Sequence, residues 1–219
     1  MSDIKRQLFQ QLATVAHSLG SPQRIEILDY LAQAERSVDE LSQLTQLSTA
    51  NTSRHLQVLK TNGLVKMQKQ GKSRLYRLAG QDVVLLVKQL RFVAENHLAE
   101  VNRLKQDLSN SEETSPVLTA QETLSQLAEN DLLLVDVRPP KEYEQGHIKG
   151  AMNIPPENID SALEALPFDK TIVAYCRGPY CTYSHKLVET LRQKGVNALR
   201  LEEGFPEWKA AGLPCITNE

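Results

Sequence analysis

Residues 47–78 read LSTANTSRHLQVLKTNGLVKMQKQGKSRLYRL, and this stretch decides the fold of the first half of the chain. Ser48 is a good helix N-cap. Behind it Thr52, Leu56 and Leu59 recur at helical spacing, and Gly63 follows as a residue that tolerates a left-handed stop. Two short runs, Leu64–Lys69 and Ser73–Leu78, then flank Gln70-Gly71-Lys72, a glycine-containing hairpin tip. Upstream, Val38-Asp39-Glu40-Leu41 opens a short helix to about Gln46. Two short helices joined by a tight turn form a helix-turn-helix, and the hairpin makes it the winged kind. Farther back, Ile4, Leu8, Leu12, Val15 and Leu19 step along one helical face. Ser21-Pro22 gives a cap and a first-turn proline for a second helix that carries Ile25, Leu28 and Leu31.

Charge follows the same division. The 219 residues sum to −2, but residues 1–110 carry +5 (15 Lys and Arg, 10 Asp and Glu) and residues 111–219 carry −7 (10 against 17). Such asymmetry predicts two modules with different partners. From Leu41 to Gln81 there is no acid, whereas Arg54, Lys60, Lys66, Lys69, Lys72, Arg74 and Arg77 all fall there. A cation-only surface on a helix and its wing suits the phosphates of duplex DNA. With Thr52, Leu56 and Leu59 turned to the core, Thr49, Asn51, Arg54 and His55 face outward, and Asn and Arg make bidentate contacts to adenine and guanine edges. Lys69, Lys72 and Arg74 on the wing complete the expected DNA-binding set. His55 reads equally as a packed or capping residue.

A long seam ends this half. Val83, Val87, Leu90, Ala94, His97, Val101, Leu104 and Leu108 alternate steps of four and three, predicting one helix of about 25 residues. A seam of that length wants a partner, and a symmetric homodimer is the simplest. Residues 109–116, SNSEETSP, hold no apolar residue and read as a linker between a 1–108 domain and a 117–219 domain.

The quoted stretch, with SRHLQVL, the NGLV turn and the GKSRLYRL wing, resembles the ArsR/SmtB winged-helix repressors over about residues 8–100. The resemblance implies a homodimer on a palindromic double-stranded DNA operator, released by a ligand. The family's own sensors are missing. Leu41-Ser42-Gln43-Leu44 stands where one branch carries a Cys-x-Cys pair, and no cysteine precedes Cys176. Asp82-Val83-Val84 lacks the histidine of a second branch. His97 and Glu100 keep only half of that motif, and His97 falls on the seam as an interface residue. No metal site is expected.

The second half alternates strand and helix. Leu132–Val137, Thr171–Tyr175 and Val196–Leu201 read as strands, and Thr119–Glu129 and Ser184–Lys194 as helices, which together give an α/β domain on a parallel sheet. Thr171–Tyr175 runs straight into Cys176-Arg177-Gly178-Pro179-Tyr180-Cys181-Thr182 and then a helix. Ligands in such sheets bind beyond the carboxyl ends of the strands. Loop N–H groups, the helix N-terminus and Arg177 would together raise the thiolate fraction of Cys176. Cys181, five residues on, could close a disulfide or a bridge with an inserted sulfur, and so is a candidate resolving thiol. Cys215 reads as structural.

DVRPPKEYEQGHIKGAMNIP (136–155), YCRGPYC (175–181) and EEGFPEWKAAGLP (202–214), in that order, resemble a single-domain rhodanese over residues 117–215. The resemblance implies that Cys176 accepts a sulfane sulfur as a persulfide, and it places Asp136, Arg138 and Glu142 beside the site. Asp136 and Glu142 are expected to brace the loop as ion pairs. A phosphatase-type loop would need Arg six residues after the cysteine, and Thr182 stands there. Pro179 removes one N–H from the cradle, and Cys181 replaces a more usual Ser or Thr.

The fold class expected is a mainly α winged helix-turn-helix followed by an α/β rhodanese-like domain. The favoured reading is a regulator that senses thiosulfate, a persulfide or a polysulfide through Cys176. A working sulfurtransferase tethered to DNA and a thiophilic metalloid sensor using Cys176 and Cys181 stay open beside it. No cofactor is expected. The longest aliphatic run is Val83–Val87 and the start MSDIKRQ has no apolar core, so neither membrane span nor secretory signal is expected, and a cytoplasmic site is.

Overall fold

The computed structural model describes residues 3–71, 73–109, 116–129, 131–162, 166–167 and 170–218. The chain packs as two compact units, Met1–Val87 and Lys88–Glu219. Residues 110–115 of the expected 109–116 linker lie outside the described residues, as does Lys72.

In the first unit, α1 (Asp3–Leu19) and α2 (Pro22–Gln33) precede a two-residue strand β1 (Arg36–Ser37), α3 (Val38–Thr45) and α4 (Thr49–Thr61). Pro22 stands at the first turn of α2, but Ser21 makes no capping bond. Its hydroxyl donates to the Gln23 side chain instead (2.8 Å), and Arg24 reaches back to the last carbonyls of α1. The cap expected at Ser21 is therefore replaced by a local side-chain bond. At α3, Ser37 and Glu40 form a reciprocal capping box. Gln46, at φ 55°, makes the turn into α4, which Ser48 caps by accepting from the Asn51 N–H. Hairpin β2 (Val65–Gln70) and β3 (Ser73–Leu78) pairs Lys69 with Arg74 across the strands, and β1 adds to β3 as an edge that the sequence pattern did not reveal. Ile27, Leu28, Leu41, Leu56, Leu59 and Tyr76 form the core. The buried Thr52 hydroxyl is satisfied by the Ser48 carbonyl, and Asn62 donates to the Ser18 hydroxyl (2.7 Å).

The seam does not form one helix. α5 (Gln81–His97) stops and α6 (Ala99–Ser109) begins after Leu98. The Asn102 amide donates to the Glu95 carbonyl (2.8 Å), a side chain taking a backbone acceptor that a continuous helix would use. A heptad pattern carries no sign of such a break. Val83 is buried, whereas Leu90, His97, Leu104 and Leu108 are exposed on the single chain.

The second unit builds β4 (Val117–Leu118), α7 (Ala120–Ala128), β5 (Leu132–Asp136), α8 (Pro140–Gln145), β6 (Gly146–Ile148), β7 (Met152–Asn153), a 3-10 turn at Pro156–Asn158, α9 (Ile159–Ala162), β8 (Thr171–Tyr175), α10 (Thr182–Gln193), β9 (Ala198–Leu201), α11 (Phe205–Ala210) and β10 (Cys215–Thr217). Five strands form a parallel sheet in the order β4-β9-β8-β5-β7, and β10 pairs antiparallel with β6. Both faces are buried, as the near-continuous apolar strands require. Along β8 and into the loop, Ile172, Ala174 and Cys176 pack on one side with Leu187, Val188 and Leu191 of α10. Val173 and Tyr175 pack on the other with Phe205 and Trp208 of α11. Cys176 therefore continues the strand alternation. Among the described residues no helix is long and apolar enough to cross a membrane.

Leu56 has no solvent exposure in the first core. Leu56→Ala is expected to lower stability by about 2–5 kcal/mol, read by thermal or denaturant unfolding.

Candidate functional site

The site is built where β8 ends. Cys176 is 2% exposed, and the structure joins it to Cys181 in a disulfide with Cα atoms 6.1 Å apart. Between them the Cys181 N–H donates to the Gly178 carbonyl (3.1 Å), so residues 178–181 form a β-turn. Pro179 occupies its second position, where proline's fixed φ is favoured and no N–H is needed. Cys181 then enters α10 as the N-cap residue, without a side-chain capping bond.

The loop is pinned from behind. Phe205 N–H donates to the Cys176 carbonyl (3.2 Å). Gly204 lies so close to the Arg177–Gly178 peptide that a Cβ there would overlap the Arg177 carbonyl. Gly204 N–H also donates to Glu207, itself buried (3.2 Å). The quoted EEGFPEW motif thus supplies the wall of the loop, a role assigned to none of its residues from sequence.

Two carboxylate–arginine pairs frame this wall. Asp136 and Arg138 have no exposure. Asp136 accepts from the Arg138 backbone N–H (2.9 Å), Nε (3.0 Å) and Nη2 (2.6 Å). Arg138 also donates to the Gly146 carbonyl (2.7 Å) and lies 4.3 Å from the Phe205 ring centre. Glu142, equally buried, receives the Arg177 fork at 2.9 and 2.7 Å. The Arg177 guanidinium is therefore matched with Glu142, in the bracing arrangement expected for that carboxylate. Beside the loop, burial and the nearby Asp136 carboxylate push the Tyr175 phenol far above its ordinary value, and its oxygen accepts from the Ile148 N–H (3.1 Å).

Two residues of α5 meet the loop at Tyr180. Tyr180 donates its hydroxyl to Glu95 of α5 (2.8 Å), and its ring stands 5.8 Å from the Arg91 guanidinium. Burial, then the Glu95 acceptor, push the Tyr180 phenol up. Desolvation opposes charge on Glu95, but bonds from Tyr180 and Lys105 outweigh it and hold the carboxyl below its usual range. On α10, His185 contacts Arg200 of β9. Burial and the Arg200 charge lower His185 to about 4, and burial lowers Arg200 to about 10.

In the first unit Thr49, Asn51 and Arg54 are exposed along α4, and Lys69 and Arg74 face solvent on the hairpin. Burial, then the charges of Arg24 and Arg54, lower the pKa of the partly buried His55. Arg77 pairs with Glu35 (3.5 Å), an acid from outside the acid-free run.

The bacterial regulatory protein arsR family matches residues 21–67, and the rhodanese-like domain family matches residues 119–211. An HTH-type transcriptional regulator of Mycobacterium tuberculosis is 41% identical over 213 residues, 97% of this chain and 93% of the relative. A sulfurtransferase of Allochromatium vinosum is 38% identical over 101 residues, 45% of this chain and 92% of the relative. A homodimeric winged helix-turn-helix DNA-binding domain from Mycobacterium bovis, solved by NMR, is 39% identical and covers 46% of this chain and 93% of its own, with a TM-score of 0.43. Fold and comparisons define a winged helix-turn-helix transcriptional regulator joined to a rhodanese-like domain. The chain belongs to the arsR family of bacterial regulatory proteins.

Two outcomes follow from this geometry. Gly204→Ala is expected to cost on the order of 1–3 kcal/mol in the second unit, because the new methyl meets backbone. A melting temperature equal to wild type contradicts the close approach. His185 titrates lower in the folded chain, at about 4, than the ~6.5 of an unfolded one. Its contribution to stability is thus complete above pH ~6.5 and is lost as pH falls through about 4. His185→Gln should flatten the acid limb of the stability profile over that window.

Proposed function

We propose that this regulator is a homodimer that binds a double-stranded DNA operator and that sulfane sulfur, taken up at Cys176, sets its operator affinity. The observation that carries this reading is the placement of Cys176 and Cys181 in one loop, close enough to bridge, at the mouth of a parallel sheet. The likeness to a sulfurtransferase supports the sulfur chemistry. The acid-free, cation-bearing α4 and hairpin support the DNA contact, with Thr49, Asn51 and Arg54 reading bases and Lys69, Lys72 and Arg74 meeting phosphates. Exposed Ile4, Leu8, Phe9 and Leu12 on α1, and Leu90, Phe92 and Val93 on α5, support a second copy as partner.

The chemistry balances without an outside oxidant. In the reduced protein the Cys176 thiolate attacks the outer sulfur of thiosulfate. That S–S bond breaks, sulfite leaves with the electron pair, and Cys176 holds a persulfide. The Cys181 thiolate then attacks Cys176 Sγ, the outer sulfur leaves as hydrosulfide with the proton, and the disulfide forms. Sulfane sulfur is reduced to sulfide while two thiols become a disulfide. A persulfide or polysulfide donor enters the same way with a thiolate as leaving group, and a cellular dithiol resets the loop by exchange. Closure by Cys181 ends the cycle with the sulfur released rather than handed to an acceptor, which favours sensing over sustained transfer.

Mass spectrometry of the full, reduced chain tests the chemistry. Thiosulfate or polysulfide should release about one hydrosulfide per chain and leave the bridge. Cys181→Ser should stop at one added sulfur on Cys176, and Cys176→Ser should take up none. Sulfur found only on Cys215 overturns the assignment. Metalloid binding that survives Cys181→Ser argues against a two-thiol metalloid site. Operator affinity should fall steeply with salt. Arg54→Ala should cost about 1–3 kcal/mol and relax sequence preference, whereas Lys72→Ala should weaken all sequences alike.

A further inference from the structure

α5 carries Lys88, Arg91 and Glu95 at spacings of three and four, which places them on one face of the helix. Each meets a different part of the reactive loop or its wall. Lys88 forms an ion pair with Glu203, and Arg91 pairs with the buried Glu207 (2.9 Å). Glu207 in turn holds the N–H of Gly204, the residue pressed against the Arg177–Gly178 peptide. Glu95 accepts the Tyr180 hydroxyl, and Tyr180 is the residue immediately before Cys181. The first turns of the same helix bury Val83 and Val84. Val83 belongs to the core that packs α4. α5 (Gln81–His97) therefore contributes Val83 to the first unit's core and Glu95 to the second unit.

We propose that Tyr180 reads the sulfur state of the Cys176–Cys181 loop and passes it to α5 through its hydrogen bond to Glu95. This rests on the functional reading above and names its transmitting residues. Of the polar contacts of Lys88, Arg91 and Glu95, the Tyr180 hydrogen bond is the one that originates between the two cysteines. With the bridge closed, residues 178–181 are held as a turn, and the hydroxyl is fixed on the carboxylate. When the bridge is opened, or lengthened by a sulfur, the turn loses its covalent clamp and Tyr180 its fixed reach. Glu95 then keeps Lys105 (3.0 Å) and loses its partner on the loop. A phenol donor on a carboxylate is a charge-assisted bond, strong enough to bias a helix end between two arrangements. Arg91 holds the wall of the loop through Glu207 and Gly204 and also stands beside the Tyr180 ring.

The test uses the full-length chain and three variants: Tyr180→Phe, which keeps the ring beside Arg91 and removes only the hydroxyl, Glu95→Ala, and the double substitution. Sulfur uptake at Cys176, melting temperature and operator affinity before and after polysulfide treatment are measured on each. The wild type should shift its operator Kd by about fivefold or more. Each single variant should take up sulfur and bind the untreated operator like the wild type, while its shift falls below about twofold. The double variant should lose no more than either single one, because both act on one bond. A wild type that responds, with variants that respond equally, overturns this inference and leaves the functional reading standing. A wild type whose affinity ignores sulfur overturns that reading and this inference with it.

Discussion

Arg138 is a guanidinium with no access to solvent, and its position is set by one carboxylate. Asp136 takes three of its N–H groups, the Gly146 carbonyl takes another bond, and the rings of Phe205 and Tyr175 flank the charge. This arrangement gathers the end of β5, the end of β8, the start of β6 and the first turn of α11 around one buried ion pair. Losing either partner leaves an uncompensated buried charge, a cost of about 3–5 kcal/mol. Asp136 lies opposite Tyr175 in the sheet, and Cys176 follows Tyr175 directly. The thiol's position is thus inherited from the pair, and Glu142 with Arg177 repeats the device on the other side of the loop.

The sequence was most legible where one residue type has one physical use. Ser48 and Gly63 bound α4, Thr52, Leu56 and Leu59 fill its buried face, and the strand ending at Tyr175 delivers Cys176 as the alternation requires. It was least legible where partners lie far apart along the chain. The Arg177–Glu142 pair spans 35 residues and the Tyr180–Glu95 bond spans 85, and no local pattern encodes either. The break at Leu98 was hidden for the opposite reason. The heptad pattern records which positions are apolar, and Asn102 capturing the Glu95 carbonyl leaves that record unchanged. Ser21 shows a similar competition, since a neighbouring glutamine offered its hydroxyl a nearer acceptor than the helix end. The signal at Gly204 was present but unread: a glycine before Phe-Pro-Glu-Trp marks a backbone that another backbone must approach.

These features fit one division of labour. The first half carries the cations of α4 and the wing but none of the cysteines, and all three cysteines fall in the acidic second half. On the proposed reading, regulation by sulfur needs a group outside the loop that feels its state, and Glu95 of α5 is that group. Only a modest bias is required, because a coupling of about 1–3 kcal/mol already changes affinity by about 5–150-fold.

The most direct measurement is the operator Kd of the full-length protein at fixed salt, determined anaerobically for the dithiol form and again after a sulfane donor has closed the Cys176–Cys181 bridge. The account predicts two affinities at least about fivefold apart, interconverted by donor and dithiol and collapsed to one value in Cys176→Ser. A single affinity for both forms of the wild type, with the bridge verified by mass, would contradict it.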